Sequence, residues 1–177
     1  MNKNVFITGG TRGIGKKTVE LFASKGFNVA FTYLKSEEKA KDLIIELNKK
    51  YPNSIVQSFK ADVASFSKMQ NVANSVLSTF GKIDVIVANA GTSKIAPFID
   101  LTENDYDEML NTNLKGIFNT IKPFLPSMIV TLNFFLKPRP IISSSLMKSK
   151  MMQTTMPCQQ RNSVTWLKSR HSINTSI

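Results

Sequence analysis

A single cysteine, Cys158, stands in the 177 residues, which excludes an internal disulfide and a multi-cysteine metal site, so no metal is expected. Long apolar runs are also missing. The longest near the end, Ile129 to Leu136, is broken by Thr131 and Asn133. It falls far short of the roughly 20 residues that a membrane-crossing helix needs, and no membrane partner is expected. Met1-Asn2-Lys3-Asn4 runs straight into a strand-like segment and leaves no room for a signal peptide, so a cytoplasmic location is the default expectation. Acidic residues stop at Glu108 and glycine stops at Gly116. Residues 1–128 hold 16 Lys/Arg against 12 Asp/Glu, whereas residues 129–177 hold 7 Lys/Arg and no acid. The net charge of +11 therefore belongs mostly to the tail. Its cations are scattered, its aromatics are only Phe134, Phe135 and Trp166, and it has no recognisable nucleic-acid-binding pattern. No nucleic acid partner is expected.

What is present, up to about residue 128, is an alternation of two periods. Val5-Phe6-Ile7 is a short apolar run ending in a glycine-rich turn, the mark of a buried parallel strand. Ile14, Thr18, Leu21 and Phe22 recur at helical spacing, and Gly26 stops that helix at Lys25. Asn28 to Tyr33 reads as a second strand. Ser36 is placed to cap a helix through Asn48 that buries Leu43, Ile44 and Leu47. Ser54 to Phe59 reads as a third strand. Met69, Val72, Ala73, Val76 and Phe80 make the stripe of a third helix closed by Gly81, and Val85 to Ala88 reads as a fourth strand. Thr102-Glu103-Asn104-Asp105 is a capping box opening a helical region to about Phe124. Four strands alternating with helices predict an α/β fold with a parallel sheet covered on both faces. Beyond residue 128 the periods stop, Pro138, Pro140 and Pro157 interrupt any long helix, and Ser, Thr, Met and Lys dominate. The expected organisation is a domain over 1–128 and a basic, poorly ordered tail over 129–177.

The chemistry begins at Gly9-x-x-x-Gly13-x-Gly15, placed after a strand and before a helix. A phosphate needs backbone N–H donors with no side chain in the way. A helix N-terminus supplies the donors and a favourable dipole, and glycines permit the tight turn and close approach. The turn Thr8-Gly9-Gly10-Thr11-Arg12-Gly13-Ile14-Gly15 resembles that of the short-chain dehydrogenase/reductase family, and three further segments agree in order. Ala61-Asp62-Val63 follows the third strand, where the family's Asp-Val contacts adenine. Ala88-Asn89-Ala90-Gly91 follows the fourth and is similar to the family's Asn-Asn-Ala-Gly. Asn111-Thr112-Asn113-Leu114-Lys115-Gly116 is similar to the helix segment carrying the family's catalytic Asn, which falls on Asn113. The resemblance implies a Rossmann-like doubly wound sheet lacking its C-terminal strands, and a dinucleotide held by Thr8 to Gly15, Asp62, Val63, Asn89, Ala90 and Gly91. Asn-Thr-Asn-Leu-Lys-Gly-Ile-Phe and Pro123-Phe124-Leu125-Pro126 are most similar to 3-oxoacyl-[acyl-carrier-protein] reductases of bacterial fatty acid synthesis, and sugar, polyol and acetoacetyl-CoA reductases share them. The implied substrate is a small molecule or an acyl group on a carrier. Family members usually form homotetramers through the helices around Asn104 to Phe124.

Charge selects the cofactor. An NAD enzyme places an acid at the end of the second strand for the ribose 2′-hydroxyl. Thr32-Tyr33-Leu34-Lys35-Ser36 has none and offers Lys35 and Ser36, while Arg12 lies in the glycine turn. Ammonium, guanidinium and hydroxyl donors suit a 2′-phosphate, so NADP(H) is expected.

The family resemblance also implies a catalytic Tyr with a Lys four residues on. Tyr33, Tyr51 and Tyr106 are the only tyrosines, and Glu37, Ile55 and Leu110 stand four residues after them. Ser145, within Ile141 to Ser145, resembles the family's carbonyl-polarising Ser. A shifted reading frame past codon 128 is the hypothesis for the abrupt change, since permitted codons of residues 153–161 can encode Asn-Asn-Tyr-Ala and Ala-Ser-Lys in other frames. Two functions follow: an NADPH-dependent reductase of 3-oxoacyl thioesters, or a catalytically inactive nucleotide-binding remnant.

Overall fold

A computed structural model of the protein describes residues 2–129. Ser145, Cys158 and all but the first residue of the expected tail lie outside the described residues. Four strands form one parallel sheet: β1 (Asn4–Ile7), β2 (Asn28–Tyr33), β3 (Val56–Lys60) and β4 (Val85–Val87). Their order is β3-β2-β1-β4. The third strand begins two residues later than its apolar pattern predicts, because Ser54 is taken by a turn and its hydroxyl donates to the Ala23 carbonyl at 2.9 Å. The fourth ends one residue earlier, at Val87.

Alternation along β1 explains the two-layer core. Val5 and Ile7 face a cluster with Val19, Ala23, Leu43 and Leu47, while Phe6 faces Met69, Val72, Ala73, Val76 and Phe124. Each face of the sheet is thus closed by helices, as the near-continuous apolar character of the strands requires. The helices are α1 (Gly13–Ser24) and α2 (Glu37–Lys50) over one face and α3 (Phe66–Phe80) over the other. α2 and α3 bury the stripes their sequences predict, Ile44 and Phe80 only in part. α1 does not. Ile14 and Leu21 are 79% and 57% exposed, and the buried row is Gly15, Val19 and Ala23 with Phe22 beside it. The row that faces the sheet is therefore made of small and β-branched residues, and Ile14 and Leu21 are turned outward.

The end of α1 shows how local sequence sets a boundary. Gly26 takes φ +78, its N–H reaches the Ala23 carbonyl at 3.0 Å, and the Phe27 N–H reaches that of Phe22 at 3.1 Å. This is a Schellman close, sealed by an edge-to-face contact of the Phe22 and Phe27 rings at 5.0 Å. At the opposite end of the sheet from the glycine turn, Asn4 ties three segments together. Its amide donates to the carbonyls of Phe80 and Lys82, its backbone N–H donates to Asp84, and its side-chain oxygen accepts from Asn28.

After β4 the chain makes a 3-10 turn (Phe98–Asp100) and enters α4 (Glu103–Leu110). The capping box forms as its sequence predicts, with the Thr102 hydroxyl accepting from the Asp105 N–H and the Asp105 carboxylate accepting from the Thr102 N–H. One helix to Phe124 does not form. A π-helical segment (Asn111–Lys115) separates α4 from α5 (Gly116–Ile121), and residues 122–124 are a turn. Gly116 explains the α5 end of this irregularity: a Cβ there would sit 2.9 Å from a Val63 methyl, so α5 packs on β3's exit loop only through glycine.

Candidate functional site

The chain runs β1, β2, β3 outward and then returns to place β4 on the other side of β1. Connections leave the adjoining C-terminal strand ends in opposite directions, which opens a crevice between them, the usual ligand position in such sheets. The crevice is fastened first. Thr8 is fully buried, and its hydroxyl accepts from the N–H groups of Asn89 (3.1 Å) and Ala90 (3.0 Å). The Asn89 amide donates back to the Thr8 carbonyl at 2.9 Å and to that of Gly9 at 3.3 Å. The turns after β1 and β4 are therefore one hydrogen-bonded unit.

Glycine is required where this unit is tightest. A Cβ on Gly9, which has φ +71, would stand 3.2 Å from the Ala90 Cα. One on Gly10 would meet the Phe31 ring at 2.6 Å, and one on Gly15 would overlap the Gly9 carbonyl oxygen. Gly13 differs. It has φ +53, and nothing lies within 4 Å of the place a Cβ would take. Arg12, in extended backbone, precedes α1 without capping it, and the first turn of α1 contains no acid. The N–H groups of that turn have no intrahelical acceptors and are left for an incoming anion.

A cavity of about 590 Å³ lies over this turn, within the range of cofactor sites. Gly9, Thr11, Arg12, Gly13, Ile14 and Gly15 form its floor, and Lys35 and Ser36 its wall at the end of β2. Asp62 and Val63 line it from the exit of β3, and Asn89, Ala90 and Gly91 from the exit of β4. Thr8 and Gly10 lie behind the wall, one locking the β4 turn and the other seated on Phe31. Ser36 occupies the N-cap position of α2 without a side-chain capping bond, so its hydroxyl remains available to the cavity. Among the described residues Arg12 and Lys35 have no carboxylate partner. Sequence reasoning missed Tyr33, Leu34, Thr92, Glu108 and Thr112, which also line the cavity. Glu108 lies on α4 and Thr112 in the π-helical segment after it, and only the packing of these two elements reveals that both residues turn toward the cavity.

Asn113 lies beside a second, more open hollow of about 540 Å³, which it shares with Arg12, Ala90, Gly91 and Ile117. Both polar atoms of its side chain meet one residue: Nδ2 donates to the Thr92 carbonyl at 2.8 Å, and Oδ1 accepts from the Thr92 N–H at 2.9 Å. It pairs with the loop as a neighbouring strand would, and the π-helical turn brings it there. π-segments of this kind recur at functional sites.

A second tether holds the same loop. Lys94 donates to Asp105 at 2.7 Å, while the Thr102 N–H (3.0 Å) and hydroxyl (2.7 Å) reach the other carboxylate oxygen. The Lys94 hydrogen bond, then those from Thr102, hold the Asp105 carboxyl at about 2, below its usual 3.8. A carboxyl with a lower pKa folded than unfolded stabilises the fold above its unfolded value, and that contribution disappears as pH falls through the folded value. The tether is expected to be intact above pH about 4 and to be lost between about 4 and 2. Urea midpoints of the unaltered chain and of Asp105→Asn should differ at neutral pH and converge across that window.

The arrangement fits a dinucleotide: free N–H groups and glycine at the centre, unpaired cations and a hydroxyl at one end, and a bonded loop at the other. A family model described as short chain dehydrogenase matches residues 3–133. The chain is 36% identical over 129 residues to a 3-oxoacyl-[acyl-carrier-protein] reductase of Staphylococcus epidermidis, covering 73% of this chain and 52% of that protein. An alcohol dehydrogenase from the archaeon Thermococcus sibiricus, solved with 5-hydroxy-NADP, superimposes with a TM-score of 0.68 at 31% identity, over 72% of this chain and 54% of that one. A short chain dehydrogenase from Burkholderia cenocepacia, solved with NADP, gives 0.67 at 30% identity over 71% and 50%. The chain spans about half the length of the relatives it matches. With a parallel α/β sheet, a glycine turn at its switch point and this match over most of its length, the chain belongs to the short chain dehydrogenase family.

Proposed function

We propose that this chain binds NADP(H) and is built on the plan of a reductase of 3-oxoacyl thioesters. The observation that carries the cofactor reading is the wall at the end of β2. Lys35 and Ser36 stand there, Arg12 lines the same cavity from the glycine turn, and none of the strand-end residues is an acid. A 2′-phosphate is attracted by such a wall, whereas an acid in that place would repel it. Arg12 borders both hollows. The thioester reading rests on similarity to the Staphylococcus reductase and on the Asn111 to Phe118 segment.

When bound, NADPH supplies a hydride for a carbonyl carbon. The residues of the chain have separate tasks. The first turn of α1 holds pyrophosphate, Arg12, Lys35 and Ser36 hold the 2′-phosphate, and Asp62 and Val63 border adenine. Thr8 and Asn89 keep the two turns in register, and Asn113 holds Thr92 and the loop beyond it at the far end of the crevice.

A second reading has its own observation. The carbonyl oxygen needs a proton, and neither Tyr33, Tyr51 nor Tyr106 is followed by Lys at the fourth residue. Tyr33 lines the cavity at the β2 end, and Tyr106 is exposed on α4. A chain of this kind holds the cofactor without rapid turnover. Titration of the purified full chain with NADPH, followed by nicotinamide fluorescence, should show saturable binding tighter than that of NADH; equal affinity for both cofactors contradicts the reading. Assay of acetoacetyl-CoA reduction then separates an active reductase from a binding remnant, since a missing general acid costs about 10²–10⁴-fold in rate.

A further inference from the structure

One residue past Ser36, Glu37 opens α2 and brings a carboxylate next to the wall assigned to the 2′-phosphate. Left alone, that charge would oppose a phosphate dianion. It is not left alone. Lys41, one helical turn on, reaches Oε1 at 3.0 Å, and Lys60 reaches Oε2 at 3.6 Å. Lys60 is the last residue of β3, in register with Tyr33 at the end of β2, and Ala61 after it lines the cavity. The three side chains therefore form a cluster with one net positive charge at the rim where β2, β3 and α2 meet. The hydrogen bond from Lys41, and the charges of both lysines, hold the Glu37 carboxyl below its usual value, so the acid stays ionised and paired.

These pairs are loose. Glu37 is 44% exposed, Lys41 67% and Lys60 63%, and ion pairs so exposed to water contribute little to stability and are easily exchanged. A phosphate dianion at the rim offers the lysines more negative charge than one carboxylate does. We propose that Lys60, with Lys41, screens Glu37 and turns toward the 2′-phosphate when NADP(H) binds, which makes this cluster a determinant of NADP(H) over NAD(H). The inference rests on the cofactor reading above and extends it to residues outside the cavity lining.

The test uses the full chain and its Lys60→Gln, Lys41→Gln and Glu37→Gln variants, titrated with NADPH and with NADH. A unit charge about 9 Å from a dianion in water changes affinity by about fivefold. Lys60→Gln and Lys41→Gln should each weaken NADPH binding by about that factor, and Glu37→Gln should tighten it, with NADH unchanged in all three. The differences should shrink when salt is raised from about 0.05 M to about 0.5 M, because such exposed charges are screened. Unchanged NADPH affinity, or NADPH and NADH shifting together, overturns the proposal while leaving the cofactor reading intact. If the unaltered chain binds NADPH no better than NADH, the cofactor reading fails and the proposal fails with it. Thermal midpoints of the variants confirm that each is folded before titration.

Discussion

Gly15→Ala is expected to abolish useful NADPH binding and to destabilise the fold at the same time. The added methyl would overlap the Gly9 carbonyl oxygen and stand 2.6 Å from Nδ2 of Asn89. Neither neighbour can give way cheaply. The Gly9 carbonyl belongs to a turn whose Thr8 and Asn89 bonds tie β1 to β4, and Gly15 itself is buried against that turn. Relief requires α1 to lift away from the turn, which carries its N-terminal N–H groups off the phosphate position. Overpacking of this kind costs about 1–3 kcal/mol of stability. A loss of about a hundredfold in affinity corresponds to about 3 kcal/mol of lost binding. Gly13→Ala is the informative comparison. Its methyl meets nothing, so only its φ of +53 is strained, at a cost of about 1–2 kcal/mol. Calorimetry and NADPH titration of both variants should rank Gly15→Ala as far the more damaging for binding. Equal effects would mean that backbone conformation, and not the close approach of α1 to the turn, governs the site.

Phe6→Ala should produce the largest loss of stability, about 3–5 kcal/mol, and Phe124→Ala a loss of the same size. Both rings are fully buried and meet at 4.6 Å, joining the central strand to the turn after α5. Domains of ordinary stability have about 5–15 kcal/mol in hand, so either change consumes a large share. Chemical denaturation followed by circular dichroism measures it. The Phe124 result has a further meaning, because that residue docks the end of the π-interrupted helical region against the sheet. If Phe124→Ala unfolds at the same denaturant concentration as the unaltered chain, the region from Glu103 to Ile121 is not held by the core, and Asn113 loses the support that keeps it on Thr92.

Much of this could be read without coordinates, and for identifiable reasons. Gly26 and Gly81 announced helix ends because a left-handed residue closes a helix whatever surrounds it, and both adopt positive φ. The capping box at Thr102 and Asp105 is likewise a local device spanning four residues. The glycine turn was legible because phosphate binding at a helix N-terminus restricts residue type over a short, contiguous stretch. The α1 stripe was misread because Ile14 and Leu21 carry the larger hydrophobicity, while the face that packs was selected by how closely the helix approaches the sheet. That distance depends on Gly15, Val19 and Ala23 meeting a surface built by other strands. The π-segment is hidden for a similar reason: Asn111 to Lys115 contains no proline or glycine to mark a break, and its winding reflects Gly116 against Val63 and Asn113 against Thr92.

The sequence by itself determined the alternation of strands and helices, the phosphate-binding turn and the absence of an acid at the end of β2, since each depends on neighbours along the chain. Tertiary structure alone decided that Thr8 braces the turn from behind, that Glu108 and Thr112 face the cavity, and that Asn113 spends its amide on the Thr92 backbone. It also decided that Lys60, twenty-three residues from Glu37, shares its carboxylate with Lys41. Such pairings join segments far apart in sequence, and they exist only once the parallel sheet has brought the strand ends side by side.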